Sequence, residues 1–202
     1  MLASRRAGAP ADVVRELEES GSWYFETKLD GHRCLAYVDN GEVTLKTRNG
    51  AVVTPQFPEV RKTLSEALLA DTTVATVVLD GELVCFDAAG RPSLERIQRR
   101  ASTTNGTMRA AATTPACLVA FDVLFLHGQD LRGQVYERRL YILDQIIRFN
   151  TPTLAYNYVT TDGLALWEQI CELKLEGIVA KRGKSIYTGT RSPDWVKLKE
   201  RD

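Results

Sequence analysis

Three consecutive stretches of this chain, Trp23 to Leu29, His32 to Val38 and Glu42 to Arg48, alternate apolar and polar residues, and only two or three residues that include a glycine separate them. Alternation with period two belongs to a half-buried strand, whereas helical apolar residues recur every three or four positions. Asp30-Gly31 and Asn40-Gly41 are strong hairpin signals, because glycine accepts the positive φ that tight hairpin turns require. Strands joined by hairpins early in the chain, then mixed with helices, favour an α+β domain built mainly on antiparallel sheet over a doubly wound parallel one.

The remaining pattern fills out that fold. Val13, Val14 and Leu17 give Ala11 to Glu19 a helical face, which Gly21 ends. Pro58 opens a helix through about Ala70, with Val60, Leu64, Ala67 and Leu68 on one face. A strand follows from Val74 to Phe86, then a short basic helix from Ser93 to Arg100 and a loop of small and polar residues from Ser102 to Thr114. Cys117 to Leu126 reads as a buried strand, Tyr136 to Phe149 as an amphipathic helix, Leu154 to Val159 as a strand and Leu164 to Leu173 as a helix. Gly177 to Lys181 and Trp195 to Leu198 are the last strands. No repeat or long linker interrupts this order, and 202 residues at 44% hydrophobic bury one good core. The expectation is a single domain over residues 1–202.

Composition excludes several classes. The 26 basic and 26 acidic residues cancel, so any nucleic-acid surface is a local patch. Cys34, Cys85, Cys117 and Cys171 are far apart in apolar settings, which argues for reduced core thiols rather than a disulfide or zinc framework. The apolar runs Val74 to Leu79 and Cys117 to Phe121 are too short to span a bilayer, and Met1 to Arg6 lacks the apolar core of a signal peptide. The expectation is a cytoplasmic protein with no membrane partner.

Lys28 lies in Glu26-Thr27-Lys28-Leu29-Asp30-Gly31-His32-Arg33. A Lys-x-Asp-Gly-x-Arg turn suits an amine that attacks phosphorus. Releasing the ammonium proton at neutral pH costs roughly 4 kcal/mol, so such a lysine needs cations, a metal ion or burial around it. Gly31 permits a tight turn or a close backbone approach, and Arg33 offers a donor fork for phosphate or ribose oxygens. By itself the hexapeptide is better read as an ordinary surface hairpin with a Lys-Asp pair.

Later segments answer it. Asp80-Gly81-Glu82 interrupts an apolar run, and alternation on a continuous strand puts both carboxylates on one sheet face, as an oxygen site for a sugar hydroxyl or a hard cation. The alternative is a hairpin at Gly81 with both acids in solvent. In Glu176-Gly177-Ile178-Val179-Ala180-Lys181 an acid opens an apolar strand and a lysine points away from its apolar partners. Trp195-Val196-Lys197-Leu198-Lys199 puts Lys197 and Lys199 on one face. Singly each is an amphipathic strand with solvated lysines. Together they supply cations for phosphate charge and carboxylates for Mg²⁺ and ribose.

In identity, order and approximate spacing these blocks resemble the covalent nucleotidyltransferase superfamily of ATP-dependent DNA ligases, RNA ligases and mRNA capping enzymes, over nearly the whole chain. Segments such as Ser185-x-Tyr187 and Gly189-x-Arg191-Ser192 look most like bacterial ligases of the end-joining type. The resemblance implies an ATP-grasp-like nucleotidyltransferase fold of two antiparallel sheets flanked by helices, with the nucleotide cleft between them. It implies that Lys28 takes AMP from ATP as a phosphoramidate, with Lys197 and Lys199 on the α-phosphate. Glu82 would bind ribose, Phe121 stack on the base, and Arg48 line the nucleotide and DNA end. Glu26, Thr27, Arg33 and Lys181 complete the nucleotide contacts, and Glu176 with Asp80 would hold Mg²⁺ or Mn²⁺. Phe121 is equally placed to be a core residue among Leu118, Val119, Val123 and Leu124. Arg96, Arg99 and Arg100 either meet DNA phosphates or form a solvated helix face.

The partners implied are nicked or broken duplex DNA, a Ku-like end-binding protein and an OB-fold domain in cis that this chain does not contain, in a bacterial cytosol. Without that domain, AMP binding is expected to exceed self-adenylation and nick sealing. The competing readings are an RNA ligase or GTP-using capping enzyme, and a non-catalytic nucleotide- or DNA-docking module.

Overall fold

The computed structural model describes residues 1–69, 76–147 and 151–200. In chain order the elements are β1 (Leu2–Arg5), α1 (Pro10–Glu19), β2 (Trp23–Thr27), β3 (His32–Asp39), β4 (Glu42–Thr47), α2 (Pro58–Leu69), β5 (Thr76–Val84), α3 (Leu94–Ser102), α4 (Thr107–Thr113), β6 (Cys117–Leu126), β7 (Gln129–Asp130), α5 (Tyr136–Ile146), β8 (Leu154–Tyr156), β9 (Val159–Thr160), α6 (Gly163–Leu173), β10 (Gly177–Arg182) and β11 (Arg191–Lys199). They form two compact units, one of Met1–Leu29, Arg132–Arg138 and Asn157–Asp202, the other of Asp30–Leu131 and Arg139–Tyr156.

The first unit is a sheet in the order β1-β11-β10-β2-β9, antiparallel except where β1 runs parallel to β11. Alternation sends Ile178, Ala180, Val196 and Leu198 to one face, where they pack with Phe25 and with Val14 and Leu17 of α1 and Leu166 and Ile170 of α6. Lys197 and Lys199 fall on the opposite face. Proline in the first turn opens α1, and the Asp162 carboxylate accepts from the Ala165 N–H to cap α6.

The second unit is a sheet in the order β4-β3-β5-β6-β7, with β8 parallel to β6. Its core joins Cys34, Ala36, Leu45, Leu79 and Leu118 to Val60 and Leu64 of α2, Ile97 of α3 and Leu143 of α5. Asp80-Gly81-Glu82 lies inside the continuous strand β5, as the apolar flanks imply, rather than in a turn.

Several expectations change. Asn40-Gly41 does close a hairpin, with φ of 47° and 85° and Asp39 opposite Glu42. Asp30-Gly31 does not, because β2 and β3 belong to different sheets. Glycine is needed at 31 for close approach instead: a Cβ there would lie 2.4 Å from the Leu83 carbonyl oxygen. The segment expected as one strand, Leu154 to Val159, is β8 and β9, in different sheets. The loop expected from Ser102 to Thr114 contains α4, where Ala110, Ala111 and Ala112 supply helix propensity without an amphipathic pattern. The strands β1 and β7 carry too few residues to show alternation. Two apolar clusters replace the single core, and Cys171 is exposed, unlike the other three cysteines. The expected strand start at Val74, the helix ends at Ala70 and Phe149, and the side chains of Ala67 and Leu68 lie outside the described residues.

Candidate active site

In the first unit Lys28 stands one residue beyond β2, and its backbone N–H donates to the Gly177 carbonyl at 2.8 Å. Its Nζ lies 2.5 Å from Glu176 Oε2, while Glu176 Oε1 lies 3.0 Å from Lys199 Nζ. One half-buried carboxylate thus holds two ammonium groups at the mouth of β10. Gly177 makes this possible: at φ +150° a Cβ would sit 2.0 Å from the Leu198 carbonyl oxygen, so only glycine lets β10 begin so close to β11. An ammonium paired to a carboxylate has no lone pair to give, so attack on phosphorus requires this pair to open and the proton to leave.

Lys197 is half-buried and, among the described residues, forms no ion pair. Burial pushes its ammonium below the ordinary lysine value, and the positive charges of Arg191, Arg5, Lys28 and Lys199 push the same way. An arriving phosphate would relieve both costs.

Behind Lys28 is a closed polar network. Lys181 Nζ lies 2.6 Å from Glu26 Oε1, the Tyr136 hydroxyl donates to the same oxygen, and Asn157 Nδ2 donates to Glu26 Oε2 at 3.2 Å and to the Thr27 carbonyl at 3.1 Å. The Lys181 ammonium also sits 4.3 Å from the Trp195 ring centroid and 4.9 Å from that of Tyr136. Lys181 is 1% exposed and Glu26 2%. Lys181 points away from Ile178 and Ala180, the apolar partners on its own strand, as expected, but not into solvent. Two aromatic rings and a carboxylate enclose it, and its link to Lys28 runs through Glu26 and Thr27.

In the second unit Arg33 forks onto the fully buried Asp80, Nε to Oδ1 at 2.6 Å and Nη2 to Oδ2 at 2.5 Å. Its guanidinium carbon lies 4.7 Å from the centroid of the Phe121 ring, which is almost fully buried. Glu82, half-buried, is the register partner of Arg33 across β3 and β5. Arg48 is exposed on the turn after β4. Arg100 is buried: it donates to Glu59 at 2.7 Å and to the Thr114 carbonyl at 3.0 Å, and lies 5.2 Å from the Phe57 ring. That placement removes it from any DNA face. Arg99 is solvated and pairs with Glu95 one turn earlier.

The family model for the ATP dependent DNA ligase domain matches residues 1–199. The chain belongs to the ATP-dependent DNA ligase domain family. It is 34% identical over 181 residues to the multifunctional non-homologous end joining protein LigD of Pseudomonas aeruginosa, covering 89% of this chain and 20% of that protein. It is 30% identical over 190 residues to the bifunctional non-homologous end joining protein LigD of Bacillus subtilis, covering 88% of this chain and 31% of that one. Among solved structures it resembles mycobacterial DNA ligase D complexed with ATP and MES, at 33% identity and a TM-score of 0.79, over 100% of this chain and 60% of that one. This ligase domain thus spans a fifth to a third of the length of those curated relatives.

Within the ligase domain, sequence motifs found Lys28, Glu176, Lys197 and Lys199, which the first unit brings together. They missed Tyr136 and Asn157, which carry no local motif, and Arg5, which pairs in register with Lys197. They also missed the buried pair of Arg139 with Asp122, Nε to Oδ1 at 2.7 Å. Both Asp80 oxygens accept from Arg33, and the described residues contain no group of three or more His, Cys, Asp or Glu able to hold a metal. Glu176, half-buried where Asp80 is fully buried, would hold Mg²⁺ once its own pairs with Lys28 and Lys199 open, since that cation commonly takes one or two carboxylates and draws its other oxygens from substrate phosphates and water. No helix among the described residues is long and apolar enough to cross a membrane.

Proposed function

We propose that this domain transfers AMP from ATP to Lys28 and then to a DNA 5′-phosphate, as the first steps of strand sealing in DNA repair. The bridging of Lys28 and Lys199 by the Glu176 carboxylate supports this reading most directly. Phosphate oxygens of the substrate compete with Glu176 for the two ammonium groups it holds, Lys28 and Lys199, so substrate binding opens the resting pair. The Lys28 ammonium gives up one proton to solvent, the neutral amine forms the N–P bond to the α-phosphorus and sheds a second proton to solvent, the bond to the β-phosphate oxygen breaks, and pyrophosphate leaves with the electron pair. Lys197 and Lys199 stabilise charge on the α-phosphate oxygens. A divalent cation at Glu176, Mg²⁺ or Mn²⁺, would add charge neutralisation on the phosphates.

Glu26, Lys181 and Thr27 serve by fixing the end of β2, and Asp80 by orienting Arg33 rather than by holding metal. Glu82 is assigned to the ribose, Phe121 to the base, and Arg48 to the nucleotide and DNA end. The relatives' end-joining names support broken duplex DNA as the substrate, and with it a Ku-like end-binding partner and a cytoplasmic setting. Incubation with α-labelled ATP or GTP, then a chase into nicked DNA, tests the reading. ATP-specific label that Lys28→Ala abolishes is expected; label from GTP, or label retained by Lys28→Ala, refutes it.

A further inference from the structure

The strand register lines up a row of residues across the sheet of the first unit. Glu26 of β2 is opposite Val179 of β10, Val179 is opposite Lys197 of β11, and Lys197 is beside Arg5 of β1. Register partners present their side chains on the same face, so Arg5 shares the face of Lys197, and alternation adds Lys199 to it. β1 is pinned there. Arg191 Nη1 donates to the Ala3 carbonyl at 2.6 Å, the Leu2 N–H donates to the Thr190 carbonyl at 2.9 Å, and the Ser4 hydroxyl donates to the Ser192 carbonyl at 2.9 Å.

Placing two cations side by side across a strand pair is unfavourable by itself. The cost shows at Lys197, whose charged form is disfavoured by burial and by Arg191 and Arg5 beside it. An anion between the cations reverses the sign of that interaction. Position says which anion. Lys28 adjoins β2, while Arg5 is on the edge strand, three strand spacings or roughly 14 Å across the sheet. In displacement at phosphorus the attacking and leaving groups lie roughly in line, so the leaving group departs on the side away from the nucleophile.

We propose that Arg5, beside Lys197, binds the β- and γ-phosphates of the incoming triphosphate and the pyrophosphate that leaves. The assignment rests on adenylation at Lys28 and adds a residue that the sequence motifs do not contain. Arginine suits the task, since its planar fork takes two phosphate oxygens at once and its charge does not titrate in the working range. The chemistry is that of a polyphosphate chain, as distinct from the single phosphate of AMP.

The test compares Arg5→Gln and Arg5→Lys with Arg6→Gln, a control at an exposed residue paired with Glu16 on α1. Thermal melts first establish that each variant is folded. In Arg5→Gln the ATP concentration for half-maximal Lys28 labelling, and the pyrophosphate concentration for half-maximal reversal of the adenylate, should rise about tenfold. AMP affinity should stay within about twofold, Arg5→Lys should recover part of the loss, and Arg6→Gln should match the parent. Equal weakening of ATP and AMP, or unchanged pyrophosphate dependence, overturns the proposal. Direct titration with inorganic pyrophosphate, followed by phosphorus NMR, judges Arg5 independently of the chemistry. Should the parent chain take no label from ATP, the adenylation reading fails, while weaker pyrophosphate binding in Arg5→Gln still supports the site and equal binding overturns it.

Discussion

Gly177 carries more of the site than any residue without a side chain would be expected to. Its φ of +150° is strained for other residues, and its missing Cβ leaves room for the Leu198 carbonyl. Gly177→Ala should therefore cost about 2 kcal/mol or more, measured by denaturant midpoint, and should abolish Lys28 labelling while leaving Lys28, Glu176 and Lys199 in the sequence. Gly50→Ala separates strain from clash. Gly50 also has positive φ, +84°, but nothing lies within 4 Å of its Cβ position, so it should cost only about 1 kcal/mol and leave labelling intact. The cysteines divide as sharply. Burial pushes the thiols of Cys34 and Cys117 up to about 12 and that of Cys85 up to about 11, whereas Cys171 is exposed. The thiolate is the reactive species, so brief iodoacetamide treatment of the native chain at pH 8 should add one group, on Cys171, by intact mass. Rapid addition of further groups would contradict the buried placement.

Strands were readable where their partner is the next strand and opaque where it is not. Asn40-Gly41 fixes β3 against β4 through a turn of adjacent residues, whereas the sequence at Asp30-Gly31 gives no sign that β2 pairs with β9 and β10 instead. The same blindness split the expected strand at Asn157, whose amide nitrogen serves Glu26 and Thr27 from more than a hundred residues away. The motif lysines and Glu176 were legible because the chemistry fixes their residue types. The enclosure of Lys181 was not, since it depends on Tyr136 and Trp195 arriving from other elements. The same holds for β6 and α5, joined by the buried fork of Arg139 on Asp122. Removing one partner strands a buried charge, so Arg139→Met should cost about 3–5 kcal/mol, and the double variant with Asp122→Leu should cost less than that single change. Arg99→Ala, which removes an exposed pair on α3, should cost about 0.5 kcal/mol. Urea titrations of the variants decide, and a double variant less stable than Arg139→Met would show that the pair is not the element's main constraint.

With 26 acidic and 26 basic residues, the chain has no net formal charge near neutrality, so its response to alkali is set by groups whose ionisation differs between folded and unfolded states. Cys34, Cys85 and Cys117 dominate on the alkaline side. Unfolded, their thiols ionise near the ordinary value of 9.0; folded, burial holds them protonated to about 12, 11 and 12. Between those values the folded state binds more protons than the unfolded state, so stability is full below about pH 9 and falls as pH rises toward 12. Lys197 acts in the opposite sense. Its folded ammonium releases a proton more readily than the unfolded one, so stability gains slightly as pH rises toward the ordinary lysine value of 10.5. Lys197 is half-buried, and solvent screening leaves that gain small beside three buried thiols. Denaturant midpoints should therefore hold level to about pH 9 and then decline. Cys34→Ala and Cys117→Ala should each flatten the decline even where they lower the midpoint at pH 7, because deleting a methylene-sized volume shifts the whole curve while deleting a titrating thiol changes its slope. A decline of unchanged steepness in a variant carrying both Cys34→Ala and Cys117→Ala would assign the alkaline loss to the lysine and tyrosine side chains instead.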